Sequence, residues 1–519
     1  MQGRLFKTKL RQTEQSYCLS VTFATMKTKR KALIIGSGVA GLATAIRLQH
    51  SGFQVEVFEA NDYPGGKLSE FRLGHYRFDA GPSLFTMPHF VDELFQLCGK
   101  DPRAYYSFKK KEVVCAYFFH DGTRFTAYAD AQQYAQTAAQ TFQVEAQTVL
   151  QYFKNAKKKY DLTAPLFLEK SLHKFSTYLN FDTLKAVSQI GALGVFSTLN
   201  EHNTHYFQDP RLQQLFNRYA TYNGSSPYLT PGIMSMIPHL EQHFGTFAPK
   251  GGMISITNSL KALAEDIGVQ FHFNAKVDKI LIEHSAAKGI VVDGEQIKGD
   301  LIVSNMDIVP TYRKLLKEQI APDKTLKQER SSSALIFYWG IKRNFPELNL
   351  HNILFSADYK MEFEQIFSGN AIPDDPTVYI NIGSKDEASD APENCENWFV
   401  MINVPGNKGQ DWEQWIPKAR QSIVNRINKA LNTNIEEFIE EESYLDPRRI
   451  ESRTQSFQGS LYGAASNNKF AAFVRHPNFS KQLKDLYFCG GSVHPGGGIP
   501  LALLSGKITA DIILKQTVK

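Results

Sequence analysis

The stretch KALIIGSGVAGLATAIRL, residues 31–48, constrains the fold more than any other. Residues 32–35 are a short apolar run of the buried-strand type, ending at Gly36. Gly36, Gly38 and Gly41 then spell G-x-G-x-x-G ahead of an amphipathic stretch, and the small Ala45 follows where a helix must lie close on a sheet. Gly36 permits the turn, and Gly38 lets the backbone approach a pyrophosphate. The helix from Val39 offers unpaired N–H groups to that charge. A second apolar run, 55–58, ends in Glu59, 23 residues beyond Gly36, at the offset of an acid that binds ribose hydroxyls. An ordinary glycine turn explains the glycines but not the acid at the strand end. Glu59 would also repel a 2′-phosphate. The pattern predicts a dinucleotide seat on a parallel α/β sheet.

Composition removes other classes. An apolar fraction of 42% with 21% charged residues describes a chain able to bury a large core, and 519 residues imply more than one structural unit. Of the net charge of +6, half sits in residues 1–25 (Arg4, Lys7, Lys9 and Arg11 against Glu14), so the remainder argues against a nucleic-acid partner. The cysteines (Cys18, Cys98, Cys115, Cys395, Cys489) are scattered without C-x-x-C spacing, which reads as reduced thiols in a cytoplasmic protein. No metal-ligand cluster, P-loop or Ser/His/Asp constellation is evident, and no metal is expected. Residues 1–26 read as a disordered extension foreign to the fold, with Met26 a natural start. The nearest approach to a spanning helix, IGALGVFSTL at 190–199, falls short of the roughly 18–20 residues required.

EANDYPGGKLSEF places Gly65, Gly66 and Lys67 just after the second strand, and YRFDAGPSLF follows with Asp79, Gly81, Pro82 and Ser83. A second glycine turn carrying a cation suits a bulky cofactor that stays in place. The E-x5-G-G-[KR] arrangement resembles the flavin-binding amine oxidase and carotenoid desaturase superfamily, and F-D-x-G-P-[ST] narrows the resemblance to the desaturase side. At the other end, LYFCGGSVHPGGGIPLALLSGKITADIIL (486–514) runs from a strand through Gly490, Gly491 and Ser492 to His494–Gly498, then to a helix opened by Pro500. Its N-terminus, at Gly498, Ile499 and Pro500, would face the flavin N1/C2 carbonyl edge, which gains negative charge on reduction. H-P-G-G-G-[IV]-P followed by S-G resembles the phytoene desaturase family. FAPKGGMISITNSLKALAEDIGVQFHFNAKVDKI opens a helix over Ile254–Asp266 and leads to Val277, whose backbone pairs with adenine in the resembling family. DLIVSNMD places Asn305 in a variant of that family's S-N-A-D, with Met306 as the departure. The resemblance runs from Lys31 to Ile513. It implies FAD, with cofactor contacts from Gly36, Ser37, Gly38, Val39, Ala40, Gly41, Glu59, Ala60, Gly65, Gly66, Lys67, Gly81, Pro82, Ser83, Val277, Asn305, Gly491, Ser492, Gly498, Ile499 and Pro500.

The expected architecture is α/β (α+β overall). A Rossmann-type FAD-binding domain is assembled from 27–90, 238–312 and 452–519. A helical, membrane-contacting substrate segment occupies 100–237, and a β-rich, mixed-sheet substrate domain occupies 325–450. On one strand Leu335, Phe337 and Trp339 alternate with Ile336 and Tyr338, and Phe337, Tyr338 and Trp339 are candidates to line a substrate tunnel. Lys109, Lys110, Lys111, Lys154, Lys157, Lys158 and Lys159, interleaved with Phe167, Leu168, Leu179, Phe181, Leu193, Val195 and Phe196, suit attachment to one leaflet of the inner membrane from the cytoplasmic side.

Removing hydrogen from an unactivated hydrocarbon requires a strong two-electron acceptor, which no side chain supplies. The implied reaction is hydride transfer from an allylic carbon to flavin N5 with loss of a proton from its neighbour, and oxygen or a quinone as terminal acceptor. His494 is the one titratable side chain in the flavin-adjacent glycine run and a weak base candidate, against the plainer role of a loop histidine bonded to backbone. SLFTMP and GGK make the chain look most like bacterial 1-hydroxycarotenoid 3,4-desaturases, which implies a carotenoid substrate such as 1'-hydroxy-γ-carotene. Phytoene desaturase, or another carotenoid desaturase or isomerase, is the alternative. A flavin amine oxidase and a flavin-free prenyl-chain binder are more remote.

Overall fold

Five parallel strands form the sheet that the opening motif demands, in the order Leu486–Phe488, Leu301–Ser304, Lys31–Ile35, Gln54–Phe58, Gln270–His272. The computed structural model describes residues 29–174, 193–468 and 475–517. The expected extension 1–26, Cys18, Leu179, Phe181, the side chain of Phe167 and the first residues of the 190–199 run lie outside the described residues.

Alternation along each strand divides the core into two layers. Ala32, Ile34, Val55, Val57, Leu301 and Val303 face the helices Val39–His50, Ile254–Asp266 and Ile499–Thr517. Leu33, Ile35, Phe58 and Ile302 face an antiparallel sheet of Val277–Glu283, Ala286–Val292 and Glu295–Lys298. The last helix brings the C-terminal segment against the first one. A Cβ on Gly506 would come within 2.8 Å of Ala40 O, so the two helices meet backbone to backbone.

The second sheet has seven strands in the order Ile439–Leu445, Ser333–Ile341, Glu396–Val404, Val378–Ile382, His351–Leu354, Val113–Phe118, Arg124–Tyr128. It is mixed, because His351–Leu354 runs parallel to Val113–Phe118 while its other pairings are antiparallel. The last two strands fall in the segment expected to be helical. VVCAYF and RFTAY are β-branched and aromatic runs, and sheet pairing outweighs the helix-forming sequence that follows them. Helices Ala131–Phe142, Ala146–Phe167, Leu199–Tyr206 and Pro210–Asn217 then pack on this end of the sheet. Thr198 starts the third with a full capping box: its hydroxyl accepts from Glu201 N–H, and the Glu201 carboxylate accepts from Thr198 N–H.

The two sheets are joined by the hairpin Glu70–Leu73/Tyr76–Asp79. Arg77, 7% exposed, binds Asp79 (2.8 Å), Asp390 (2.9 Å) and Glu70, so one guanidinium ties the hairpin to a connection of the seven-stranded sheet. The Asp79 carboxylate also accepts from Met253 N–H (2.9 Å) and Ile254 N–H (3.3 Å), which caps the helix Ile254–Asp266. The aspartate of F-D-x-G-P-S is therefore a structural joint.

Candidate active site

The first turn is held by backbone. Gly36 has φ +92° and donates its N–H to Phe58 O (2.8 Å). A Cβ on Gly41 would lie 2.3 Å from Gly36 O, so this helix start tolerates no side chain there. Ser37 is fully buried, and the Glu59 carboxylate accepts from both its N–H and its hydroxyl (2.8 Å each). The other Glu59 oxygen accepts from Asn61 N–H (3.0 Å) and Nδ2 (2.9 Å). The acid is thus held rigidly at the strand end, 6% exposed.

The second glycine turn lies against the first: Gly65 N–H donates to Ser37 O (3.0 Å), and Gly66 approaches the Gly38 backbone. Lys67 Nζ donates to Ser460 O and Leu461 O (2.9 Å each). Desolvation pushes its pKa down to about 8, opposed by Asp307 and reinforced by Arg330. Gly81 packs so tightly on Lys67 that a Cβ would fall 2.0 Å from Lys67 O. Pro82 and Ser83 are partly exposed beside it, and the Ser83 hydroxyl is bonded to Tyr379 OH (2.8 Å) on the seven-stranded sheet.

Asn305 reaches both ends of the chain. Its N–H donates to Ile35 O (2.8 Å), its amide nitrogen lies 2.6 Å from where a Gly38 Cβ would stand, and its amide oxygen lies 3.0 Å from the corresponding position at Gly490. Ser492 accepts from Ile308 N–H through its hydroxyl (2.9 Å), which fastens the C-terminal loop to the segment after Asn305. A Cβ on Gly491 would lie 3.2 Å from the Gly497 Cα. Gly498 has φ +98°, is exposed, and a Cβ there would meet nothing within 4 Å. It stands at the head of the helix Ile499–Thr517, with Ile499 buried and Pro500 partly so. Val277 is 7% exposed beneath Ile35 and Phe58. Val39 and Ala40 are buried at the helix start, and Ala60 is exposed.

These features fit a flavin dinucleotide. There is a rigid acid for a ribose, two glycine turns stacked on one strand end, and a helix start that opens onto free space at a glycine.

His494 is 2% exposed. Its Nε2 is 2.8 Å from Lys170 O, while its own carbonyl accepts from Asn478 Nδ2 (2.8 Å) and Ser505 Oγ (2.9 Å). Burial lowers its pKa to about 4. The ring is neutral, and its Nε2–H is given to a carbonyl.

Phe337 and Trp339, expected in the tunnel, pack with Trp398, Trp412, Ile416 and Ile423 against the helix Trp412–Leu431, on the face of the sheet turned from the glycine turns. Both faces of this strand are apolar, so alternation alone could not say which was covered by a helix. Tyr338 is on the opposite face with Tyr76, Phe78 and Phe399, and its OH donates to Ala80 O (2.7 Å) in the F-D-x-G-P-S turn. Lys159, expected at a membrane face, is 6% exposed and donates to Ser235 Oγ (2.7 Å), and Leu193 is 2% exposed.

Sequence reasoning missed Arg475, which is 4% exposed and donates from Nη1 to Tyr462 O (2.9 Å) and Gly491 O (3.4 Å) behind the C-terminal loop. It also missed the buried pair of Arg330 with Asp307. Neither sits in a local pattern. Tyr379 and Asn381 did carry a signal, as the polar positions of an alternating strand.

A family profile described as flavin containing amine oxidoreductase matches residues 39–514. The chain is 57% identical over 484 residues to a 1-hydroxycarotenoid 3,4-desaturase of Flavobacterium sp. (strain P99-3), covering 93% of this chain and 99% of that one. It is 31% identical over 494 residues to a 4,4'-diapolycopene oxygenase of Methylomonas sp, covering 93% and 98%. Among solved structures, putrescine oxidase bound to putrescine superposes with a TM-score of 0.62 at 14% identity, over 94% of this chain and 99% of that one. Cyclohexylamine oxidase from Brevibacterium oxydans IH-35A gives 0.58 at 14% identity, over 95% and 100%. At such identity the structural likeness concerns the fold alone.

Proposed function

The chain belongs to the flavin-containing amine oxidoreductase family, and from that premise we propose that it introduces the 3,4 double bond into a 1-hydroxylated carotenoid. It is an FAD-dependent oxidoreductase. One observation carries the specific reading: end-to-end identity of 57% with an enzyme named for that reaction. Two further features support it. The H-P-G-G-G run is intact, and Gly498 opens onto free space at the head of a helix.

When bound, FAD supplies the two-electron acceptor that a hydrocarbon C–H bond requires. Glu59 would take the ribose hydroxyls, the turns at Gly36–Gly41 and Gly65–Lys67 the pyrophosphate, and the backbone near Val277 the adenine. The N-terminus of Ile499–Thr517 would stabilise negative charge on the ring system through its dipole. The rest is alignment. Apolar walls beside the cofactor would exclude water and hold the reacting carbon in place, which is the kind of contribution that converts an encounter into a reaction. Charge developing along a polyene is delocalised, so a strong base is not required. That agrees with a His494 whose Nε2–H is committed to a carbonyl.

The substrate is a bilayer lipid, and peripheral attachment to the inner membrane is part of the proposal. Among the described residues no helix is long and apolar enough to cross a membrane. Exposed Lys109, Lys110, Lys154, Lys157 and Lys158, with Phe196 70% exposed, support contact with one leaflet. Oxygen or a quinone would reoxidise the cofactor.

The test is the FAD-loaded protein incubated with 1'-hydroxy-γ-carotene in one tube and phytoene in another. The expected result is a 3,4-desaturated hydroxycarotenoid and unchanged phytoene. Conversion of phytoene would refute the hydroxycarotenoid specificity, and inert carotenes with flavin bound would refute desaturation.

A further inference from the structure

A polar chain crosses from the F-D-x-G-P-S turn into the substrate-side sheet. Ser83 Oγ is 2.8 Å from Tyr379 OH, Tyr379 OH is 2.8 Å from His351 Nδ1, and Asn381 Nδ2 is 3.2 Å from the same Nδ1. His351 and Asn381 are buried opposite each other on neighbouring strands, at 3% and 8% exposure. Tyr379 and Ser83 are only partly buried. The resemblance implies Ser83 among the FAD contacts, yet its hydroxyl is bonded to Tyr379; Tyr379, His351 and Asn381 have no part in the handling of FAD proposed above.

Its hydrogen bonds have one consistent direction. Asn381 Nδ2 also donates to Leu350 O (3.0 Å), so the amide nitrogen, not the oxygen, faces the imidazole. Two donors cannot face each other, so His351 Nδ1 carries the lone pair and accepts. The ring is neutral, since burial drives its pKa down to about 3. The proton is on Nε2, which has no partner among the described residues. Tyr379 therefore gives its single proton to Nδ1, and Ser83 gives its own to the Tyr379 oxygen. The chain terminates at Ser83 Oγ with acceptor lone pairs and no proton left to donate. A ligand group meeting that end must itself be a donor.

The position of the chain matters as much as its polarity. In a 1-hydroxylated carotenoid the oxygen on C1 is three bonds from C3, one of the two carbons that lose hydrogen. A group that reads this hydroxyl must therefore stand beside the cofactor-binding motifs. Ser83 does so, two residues from Gly81, which packs on the Lys67 backbone.

We infer that Ser83, oriented by Tyr379, His351 and Asn381, accepts a hydrogen bond from the substrate's tertiary hydroxyl and selects alcohols over ethers and hydrocarbons at that end. Ser83 is the contact residue, and the other three are positioning residues. The inference rests on the hydroxycarotenoid reading above.

The experiment compares kcat/KM for a 1-hydroxylated carotenoid and its 1-methoxy ether, which has the same skeleton but no proton to donate. A site that loses one needed hydrogen bond discriminates by about tenfold or more. Wild type is expected to favour the alcohol by at least about that factor. Ser83→Ala and Tyr379→Phe are each expected to reduce the preference to less than about threefold, mainly through KM. Flavin absorbance per mole of protein reports that each variant is folded and loaded; Tyr379→Phe, at a residue outside the expected FAD contacts, carries the test if Ser83→Ala loads less flavin, and Ser83→Ala carries it if Tyr379→Phe does not fold. A loaded variant that keeps the full preference overturns the inference while leaving the desaturase reading intact, as does a wild type that turns over alcohol and ether alike. A loaded wild type that converts neither overturns the hydroxycarotenoid reading and this inference with it.

Discussion

The cofactor cradle and the substrate-side sheet both bring polar chemistry into a core, by opposite means. The cradle does it by withholding side chains. Gly36 and Gly65 take positive φ, and Gly41 and Gly81 admit backbone, of Gly36 in the same turn and of Lys67 in the second one, where a Cβ would collide, so main-chain groups are free to meet a ligand. The sheet does it with side chains. Ser83, Tyr379, His351 and Asn381 form a line from three separate stretches, Tyr379 and Asn381 sharing one strand, and every contact in it is made by a side chain. A cradle of backbone accepts a cofactor that does not vary, while a line of side chains can change with the substrate. Damage to the sheet's far face should therefore cost stability, damage to the cradle should cost cofactor, and damage to the line should cost selectivity.

The largest effect separates stability from the other two. Trp339 is fully buried beside Trp398 and Trp412 on the helix-covered face. Trp339→Ala should lose about 3–5 kcal/mol in urea unfolding. The folded fraction should retain FAD and the preference for alcohol. Lost preference in that fraction would mean that the two faces of the sheet are not independent.

Next is the cradle. Glu59→Gln removes a charged acceptor and should weaken FAD binding by about 1.5–3 kcal/mol, or about 10- to 150-fold in Kd by quenching of flavin fluorescence. A Kd within threefold of wild type would show that the acid is merely an internal cap for Ser37.

Lys67 sharpens the cradle through pH. Its ammonium, lowered to about 8 by desolvation, loses its charge as pH rises through that value. Binding the pyrophosphate then requires proton uptake, so FAD Kd should rise above pH 8 by at most about tenfold per pH unit. Lys67→Arg stays charged and should give a flat profile across the same range.

The smallest effect concerns the line. His351 is neutral in the fold down to about pH 3 but titrates near its ordinary value of 6.5 once unfolded. Between those values the unfolded chain binds more protons, so its contribution to stability is fully present above 6.5 and is lost as pH falls. The slope is at most about 1.4 kcal/mol per pH unit. His494 and His476, each held near 4 by burial, act with the same sign. The Tm of His351→Gln should fall less between pH 7 and pH 5 than that of wild type, read by thermal denaturation.

The same contrast explains what could be read in the sequence. The glycines, Glu59 and the helix Ile254–Asp266 were legible because each signal lies within one short segment. The line was not, because Ser83, in a turn, and Tyr379, on a strand, are 296 residues apart and meet only in the folded chain. Trp339 and Phe337 were misplaced because a strand apolar on both faces does not say which face a helix will cover. Val113–Phe118 and Arg124–Tyr128 were absorbed into a helical segment because the four helices after them dominate its pattern. Lys159 looked like one cation of a membrane-facing run, yet a helix turn carries it inward to Ser235.

Anaerobic titration of the FAD-loaded protein with a 1-hydroxylated carotenoid tests the central claim most directly. The account predicts that the oxidised flavin band bleaches in step with a red shift of the polyene spectrum, with one new double bond per flavin. An unchanged flavin band and an unchanged polyene at saturating carotenoid would contradict it.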